Sequence, residues 1–131
     1  DLVFVFADGG FDAAGPLLWR LAKDWKGARF DIPWVLDQPS HYLKKHVRFV
    51  LHKWDGPSDP EDRAKIFDMW NGADLAMYGS NYPHWDYLPP QDAILALPEA
   101  VRDAVMGGNA ARLYRLGEDA KPARSVEPVA G

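Results

Sequence analysis

Cysteine is absent from this 131-residue sequence. Its absence excludes disulfides, thiolate metal ligands and a cysteine nucleophile, and it fits a cytoplasmic protein. Charge of one sign is not in excess either. Fifteen Lys and Arg against nineteen Asp and Glu leave a net charge of −4, and no basic stripe marks a nucleic-acid surface. Long apolar runs are missing: Leu2–Ala7 is the longest, far too short to cross a membrane. There is no signal-peptide pattern, and no repeat at a fixed period. An initiator Met is also missing. Asp1 is followed at once by the strand-like Leu2-Val3-Phe4-Val5-Phe6, which reads as the continuation of a longer polypeptide.

Apolar side chains make up 47% of the sequence, enough for a core, and six Trp, six Phe and five Tyr make it aromatic-rich. Such rings stabilise by burial and also line pockets and subunit contacts. Three blocks then share one rhythm of apolar strand, polar or Gly/Pro-rich loop, and helix. That alternation predicts parallel βα units in an α/β fold.

The first block predicts a strand at Leu2–Ala7, buried on both faces, ended by Asp8-Gly9-Gly10. A helix starting at Pro16 follows, its core face formed by Leu17, Leu18, Leu21 and Trp25 and its stop at Gly27. Residues 28–39 form an irregular, apolar and therefore packed excursion, with a short helix from Ser40 to Lys45. In the second block Val47–His52 is the strand. Ser58-Asp59-Pro60-Glu61 carries an N-cap, a first-turn proline and a capping-box Glu. Its helix runs to about Trp70, burying Ile66, Phe67 and Trp70, and stops at Asn71-Gly72. The third block has a strand at Leu75–Tyr78, a loop from Gly79 to Pro90, and helices at Gln91–Leu97 and from Pro98. Gly107-Gly108 is expected to break the last of these, and Asn109 to cap a final helix to Leu116. Residues 1–117 thus form one unit, and 118–131 a polar tail.

Three such units are a slice of a parallel sheet. A closed (β/α)8 barrel needs eight strands and ~250 residues, and a slice leaves two edges unpaired. The expectation is that this chain folds against more protein, an N-terminal half or a companion subunit. A small stand-alone α/β domain is the rival.

In parallel α/β folds reactive groups sit past the carboxyl ends of strands. That rule selects Asp8, His52 and the run Ser80-Asn81-Tyr82-Pro83-His84-Trp85-Asp86. A carboxylate at Asp8 can bind a divalent metal, orient water or act as a base; equally, it can be a turn-forming Asp. His52 can face the same end, although a single histidine is more often a hydrogen-bonded structural group. The run from Ser80 gathers hydroxyl, amide, imidazole, indole and carboxylate in a loop stiffened by Pro83. Its plain alternative is an aromatic loop at a subunit contact. His41 and His46 bracket a short polar helix and read as surface or interface groups.

Tyr78-Gly79-Ser80-Asn81-Tyr82-Pro83-His84-Trp85-Asp86 resembles the S-D-Y-P-H-W-D signature of the amidohydrolase-related (amidohydrolase 2) family. Val3–Gly10, Pro16–Arg20 and Gly108-Asn109-Ala110-Ala111-Arg112-Leu113-Tyr114 resemble three further family segments, so the likeness extends to Gly117. It implies a TIM-like (β/α)8 barrel of which this is the C-terminal part, carrying strands six to eight. It also implies a metal-dependent hydrolase with a divalent ion, zinc foremost, acting on a small-molecule carbonyl substrate. A non-catalytic subunit supporting an active partner and a nonoxidative decarboxylase are the alternatives. The histidine ligands of the family's first and fifth strands would lie outside this chain. Asp8 and Asn81 are then the metal positions, and Asp8, Asn81 and His84 the catalytic ones. Trp85, Tyr82 and Arg20 would contact substrate. Asn81 stands where the family carries an aspartate, and a carboxamide is neutral and a weak ligand; Asp8 and Asp86 are candidates to supply the missing charge. Asp8 stands where the decarboxylase branch has histidine, which favours hydrolysis. A hetero-oligomer is the expected assembly.

Overall fold

A computed structural model describes residues 2–8, 11–52 and 56–117. The polar segment 118–131 lies outside them. The chain forms a mixed α/β arrangement around a three-stranded parallel sheet: β1 (Phe4–Phe6), β2 (Val47–Leu51) and β3 (Ala76–Tyr78), in that spatial order. The register sets Phe4 beside Val47 and Phe49 beside Ala76. The helices are α1 (Phe11–Ala28), α2 (Pro39–His46), α3 (Pro60–Met69), α4 (Gly72–Leu75), α5 (Pro90–Ala96) and α6 (Asn109–Tyr114). This is the predicted order of strand and helix, and a small parallel sheet of this kind is consistent with part of a TIM-like fold.

The core lies on one face of β2 and β3. Phe49, Leu51 and Ala76 are buried there, with Phe67 from α3, Leu75 from α4 and Val105 beyond α5, while Met77 is buried on the opposite face of β3. Phe11 fastens the start of α1 to this core: its ring lies 6.0 Å from that of Phe49 and 5.1 Å from that of Phe67. That anchorage corrects the predicted start at Pro16. The helix begins five residues earlier because a buried aromatic nucleates its first turn, and Pro16 sits inside it. The buried face is also different from the predicted one, being Phe11, Ala14 and Gly15. Leu17 and Leu21 are exposed, as is Trp19. Gly15 is required by close approach: a Cβ there would stand 1.5 Å from Cζ2 of Trp70. The indole of Trp70 thus lies directly on the α1 backbone.

Other expectations shift by a few residues. The strand predicted at 2–7 is Phe4–Phe6, and that at 75–78 begins at Ala76 because Leu75 closes the single turn of α4. Asn71-Gly72 stops α3 as expected, with Asn71 left-handed at φ 56°. The N-cap of α3 is Asp59, whose carboxylate accepts from the N–H groups of Glu61 and Asp62 at 2.9 and 3.2 Å. Glu61 is therefore one position too early for a capping box. Gly107-Gly108 does not break the chain. Residues Ala104–Gly108 form a π turn that runs directly into α6. Val105 and Asn109, at 1% and 2% exposure, are both buried by the sheet, and that packing outweighs the glycine propensities. Asn109 is consequently not a cap; its amide Nδ2 donates to the carbonyls of Ala73 and Ala76 at 2.6 and 2.8 Å. The excursion after α1 was expected to pack. Its Val35 carbonyl accepts from Trp25 Nε1 at 3.1 Å, but Phe30, Trp34 and Leu36 are exposed.

The strand β1 behaves unlike the other two. All three of its residues are exposed, with Phe4 at 54% and Phe6 at 50%. The Phe6 ring does touch that of Phe49 at 6.1 Å.

Candidate metal centre

The carboxyl ends of the three strands bring three loops together. Asp8 lies two residues past β1, His52 directly follows β2, and Asp86 comes from the loop after β3. Each offers one ligand atom, and these atoms lie within 4.8 Å of one another. His52 is buried, and its Nε2 lies 3.3 Å from Asp86 Oδ2 and 3.6 Å from Asp8 Oδ1. The shorter contact is a hydrogen bond; the longer one is beyond that range.

The loop after β3 is built to hold Asp86 in place. The Leu88 N–H donates to the Ser80 carbonyl at 3.0 Å and the His84 N–H to the Asn81 carbonyl at 2.8 Å. The Tyr78 hydroxyl closes the loop by donating to the Leu88 carbonyl at 2.6 Å. Within it, Asp86 Oδ1 accepts from Asn81 Nδ2 at 2.7 Å and pairs with His84 Nδ1 at 2.6 Å. Three groups therefore converge on one carboxylate. They hold its pKa down at about 2, against an ordinary 3.8, with the His84 hydrogen bond the largest cause and those of Asn81 and His52 following. Burial of the group opposes this and is outweighed. Asp86 is anionic across the whole physiological range.

Two of the site residues carry left-handed backbone, Asp8 at φ 67° and Asn81 at φ 54°. Asn and Asp tolerate this region better than other side chains with a Cβ. Both positions lie just past a strand, where a sharp turn aims a side chain at the strand end.

The donor set fits a divalent cation. Two carboxylates and one imidazole are oxygen and nitrogen ligands of the kind zinc and related ions take, with three protein ligands leaving positions open. His52 Nε2 can carry a single proton, whereas two carboxylate oxygens face it. A cation among the three would satisfy all of them together.

Of the positions selected from the sequence, Asn81 and His84 meet here on Asp86, and Asp8 approaches His52. Asn81 enters as a donor to Asp86, and the atoms that could hold a cation are those of Asp8, His52 and Asp86. Tyr82 and Trp85 belong to the same loop as Asp86 and are exposed at 77% and 85%. The Trp85 ring lies 5.6 Å from that of His84. Arg20 stands apart, on an exposed face of α1, where its Nε donates to Asp24 Oδ2 at 2.9 Å. Sequence reasoning did not put His52 and Asp86 among the ligands. The strand-end rule had selected both positions, but their meeting depends on three loops separated by many residues.

Among the described residues no helix is long and apolar enough to cross a membrane. No curated protein matches the chain. A family model described as Amidohydrolase matches residues 1–116.

Proposed function

Since the chain belongs to the amidohydrolase family of the metal-dependent hydrolase superfamily, we propose that it forms the C-terminal part of a (β/α)8 barrel hydrolase and supplies Asp8, His52 and Asp86 to its metal site. The observation that carries this reading is the convergence of those three side chains at the carboxyl ends of three adjacent parallel strands. A divalent ion, zinc foremost, would supply there the positive charge that polarises a carbonyl and makes water acidic near neutral pH. The substrate class is a small carbonyl compound.

The chain's own residues have distinct tasks in this reading. Asp86 is kept ionised and oriented by Asn81 and His84. With His84 Nδ1 on that carboxylate, its Nε2 is the ring nitrogen that can exchange a proton with a substrate. Trp85, whose ring lies against that of His84, and the exposed Tyr82 of the same loop are the aromatic groups offered to a substrate. Asn81 takes no proton; it is a fixed donor to Asp86, and the charge that the family carries at position 81 is supplied by Asp8 and Asp86.

The exposed β1 strand supports completion of the sheet by protein beyond the described residues. An N-terminal barrel half or a companion subunit, in an oligomer, would cover Phe4 and Phe6 and contribute further ligands. The test is hydrolysis of a panel of esters, amides and lactones by the complete assembly with zinc supplied. Turnover that disappears in His52→Ala supports the reading, and turnover indifferent to His52→Ala contradicts it. The amide at position 81 favours a second reading, a non-catalytic subunit that stabilises an active partner. That reading predicts an assembled protein with no turnover on any member of the panel.

A further inference from the structure

Asp86 is reached by two kinds of contact. Those from Asn81 and His84 to its Oδ1 arise within the loop that carries it. They travel with the loop and survive any shift of it as a body. The contact of Asp86 Oδ2 with His52 Nε2 at 3.3 Å instead crosses from the loop to the end of β2. Its length is set by where the loop sits against the sheet. It also separates two of the three residues that could hold a cation.

The groups that fix the loop against the sheet therefore differ from those that keep Asp86 ionised. Among the described residues, two polar contacts tie residues 84–88 to groups outside 79–88. One is His52 with Asp86; the other is the bond from the Tyr78 hydroxyl to the Leu88 carbonyl at 2.6 Å. Leu88 is held through both main-chain groups, since its N–H donates to the Ser80 carbonyl at 3.0 Å. Tyr78 is a firm anchor. It is the last residue of β3, sits beside Leu51 in register, and packs against the core. Burial, with Tyr87 as a second cause, pushes its pKa above the ordinary 10, so the hydroxyl stays a donor. Packing alone does not fix Leu88. An apolar hollow of about 20 Å³ lies beside it, with Leu51, Tyr78 and Val105 in its lining. The leucine has room to shift there, and the hydroxyl bond supplies the restraint that packing leaves open.

We propose that Tyr78 is a positioning residue for the cation site: by holding the Leu88 carbonyl, its hydroxyl sets the separation of Asp86 Oδ2 from His52 Nε2. It acts through the loop and donates to none of Asp8, His52 and Asp86. The inference rests on the reading above that those three hold one ion, and it adds what spaces two of them.

The test is Tyr78→Phe in the full chain, which keeps the ring and removes the hydroxyl; circular dichroism would check that the fold is kept. Nitrogen-15 NMR of the imidazoles is read on the metal-free protein at one fixed pH. The His52 Nε2 shift should move from its parent value toward that of Asp86→Ala, where the contact is gone. The His84 Nδ1 shift should stay, because its bond lies inside the loop. Zinc should bind about tenfold more weakly, the low end of the ~10–100-fold effect of groups that orient metal ligands. Tyr87→Phe removes a hydroxyl from the same loop and should change none of these. A His52 shift at its parent value overturns the proposal; that is the result of a merely structural role, which lowers the melting temperature alone. A moved His52 shift with unchanged zinc affinity overturns it too, as does an equal change in Tyr87→Phe. A parent chain that binds no zinc refutes the metal reading, and the His52 shift still decides whether Tyr78 sets the spacing.

Discussion

Replacing His84 with phenylalanine is the cleanest way to ask what holds Asp86 ionised. The ring is kept and its nitrogen is lost, at a position already 55% exposed, so the fold should not suffer. The 2.6 Å contact to Asp86 Oδ1 is the shortest of three, ahead of Asn81 at 2.7 Å and His52 at 3.3 Å. It is also the largest cause of the drop from 3.8 to about 2. In His84→Phe the Asp86 carboxyl should therefore climb back toward 3.8, and further than it does in Asn81→Ala or His52→Ala. Carbon-detected NMR titration of the Asp86 carboxyl reads this directly. The sign for stability follows from a depressed pKa: the contribution of Asp86 is fully present above pH 3.8, its unfolded value, and is lost as pH falls through about 2. Acid unfolding of the metal-free chain should show this loss, and His84→Phe should shrink it. An Asp86 carboxyl still near 2 in His84→Phe, or one moved more by losing Asn81, would refute the assignment.

Three other substitutions follow from single contacts. Gly15→Ala drives a methyl into the Trp70 ring at 1.5 Å; it should cost about 1–3 kcal/mol by overpacking, read by urea unfolding with tryptophan fluorescence. Asn81→Asp exchanges a donor 2.7 Å from Asp86 for a second carboxylate. It should raise the Asp86 pKa and tighten zinc binding at pH 7, as NMR titration and calorimetry would show. Arg20→Ala removes an exposed i,i+4 ion pair and should cost no more than about 0.5 kcal/mol. A large rise in KM for that variant would instead put Arg20 at the substrate.

The sequence made the parallel α/β character legible because three apolar strands alternate with capped helices, and the run Ser58-Asp59-Pro60-Glu61 marks one helix start, though not which of its residues is the cap. Asp8 and the loop from Asn81 to Asp86 were legible as strand-end chemistry for the same reason. What could not be read was which side chains meet. His52 looks like any single histidine until its strand is set between the other two. Asn81 looks like a weakened ligand until its amide is seen donating to Asp86. The boundaries failed where tertiary packing overrode local preference. Phe11 pulls the start of α1 forward, and Val105 with Asn109 carries a helix through Gly107-Gly108. The exposure of β1 has no local signature either, because an exposed apolar strand has the same residues as a buried one.

The account turns on Asp8, His52 and Asp86 acting as one cation site, and calorimetric titration of the metal-free protein with zinc measures that directly. One zinc per chain, with binding abolished in His52→Ala and in Asp86→Asn, is the predicted result. No saturable binding, or binding that survives both substitutions, would contradict it.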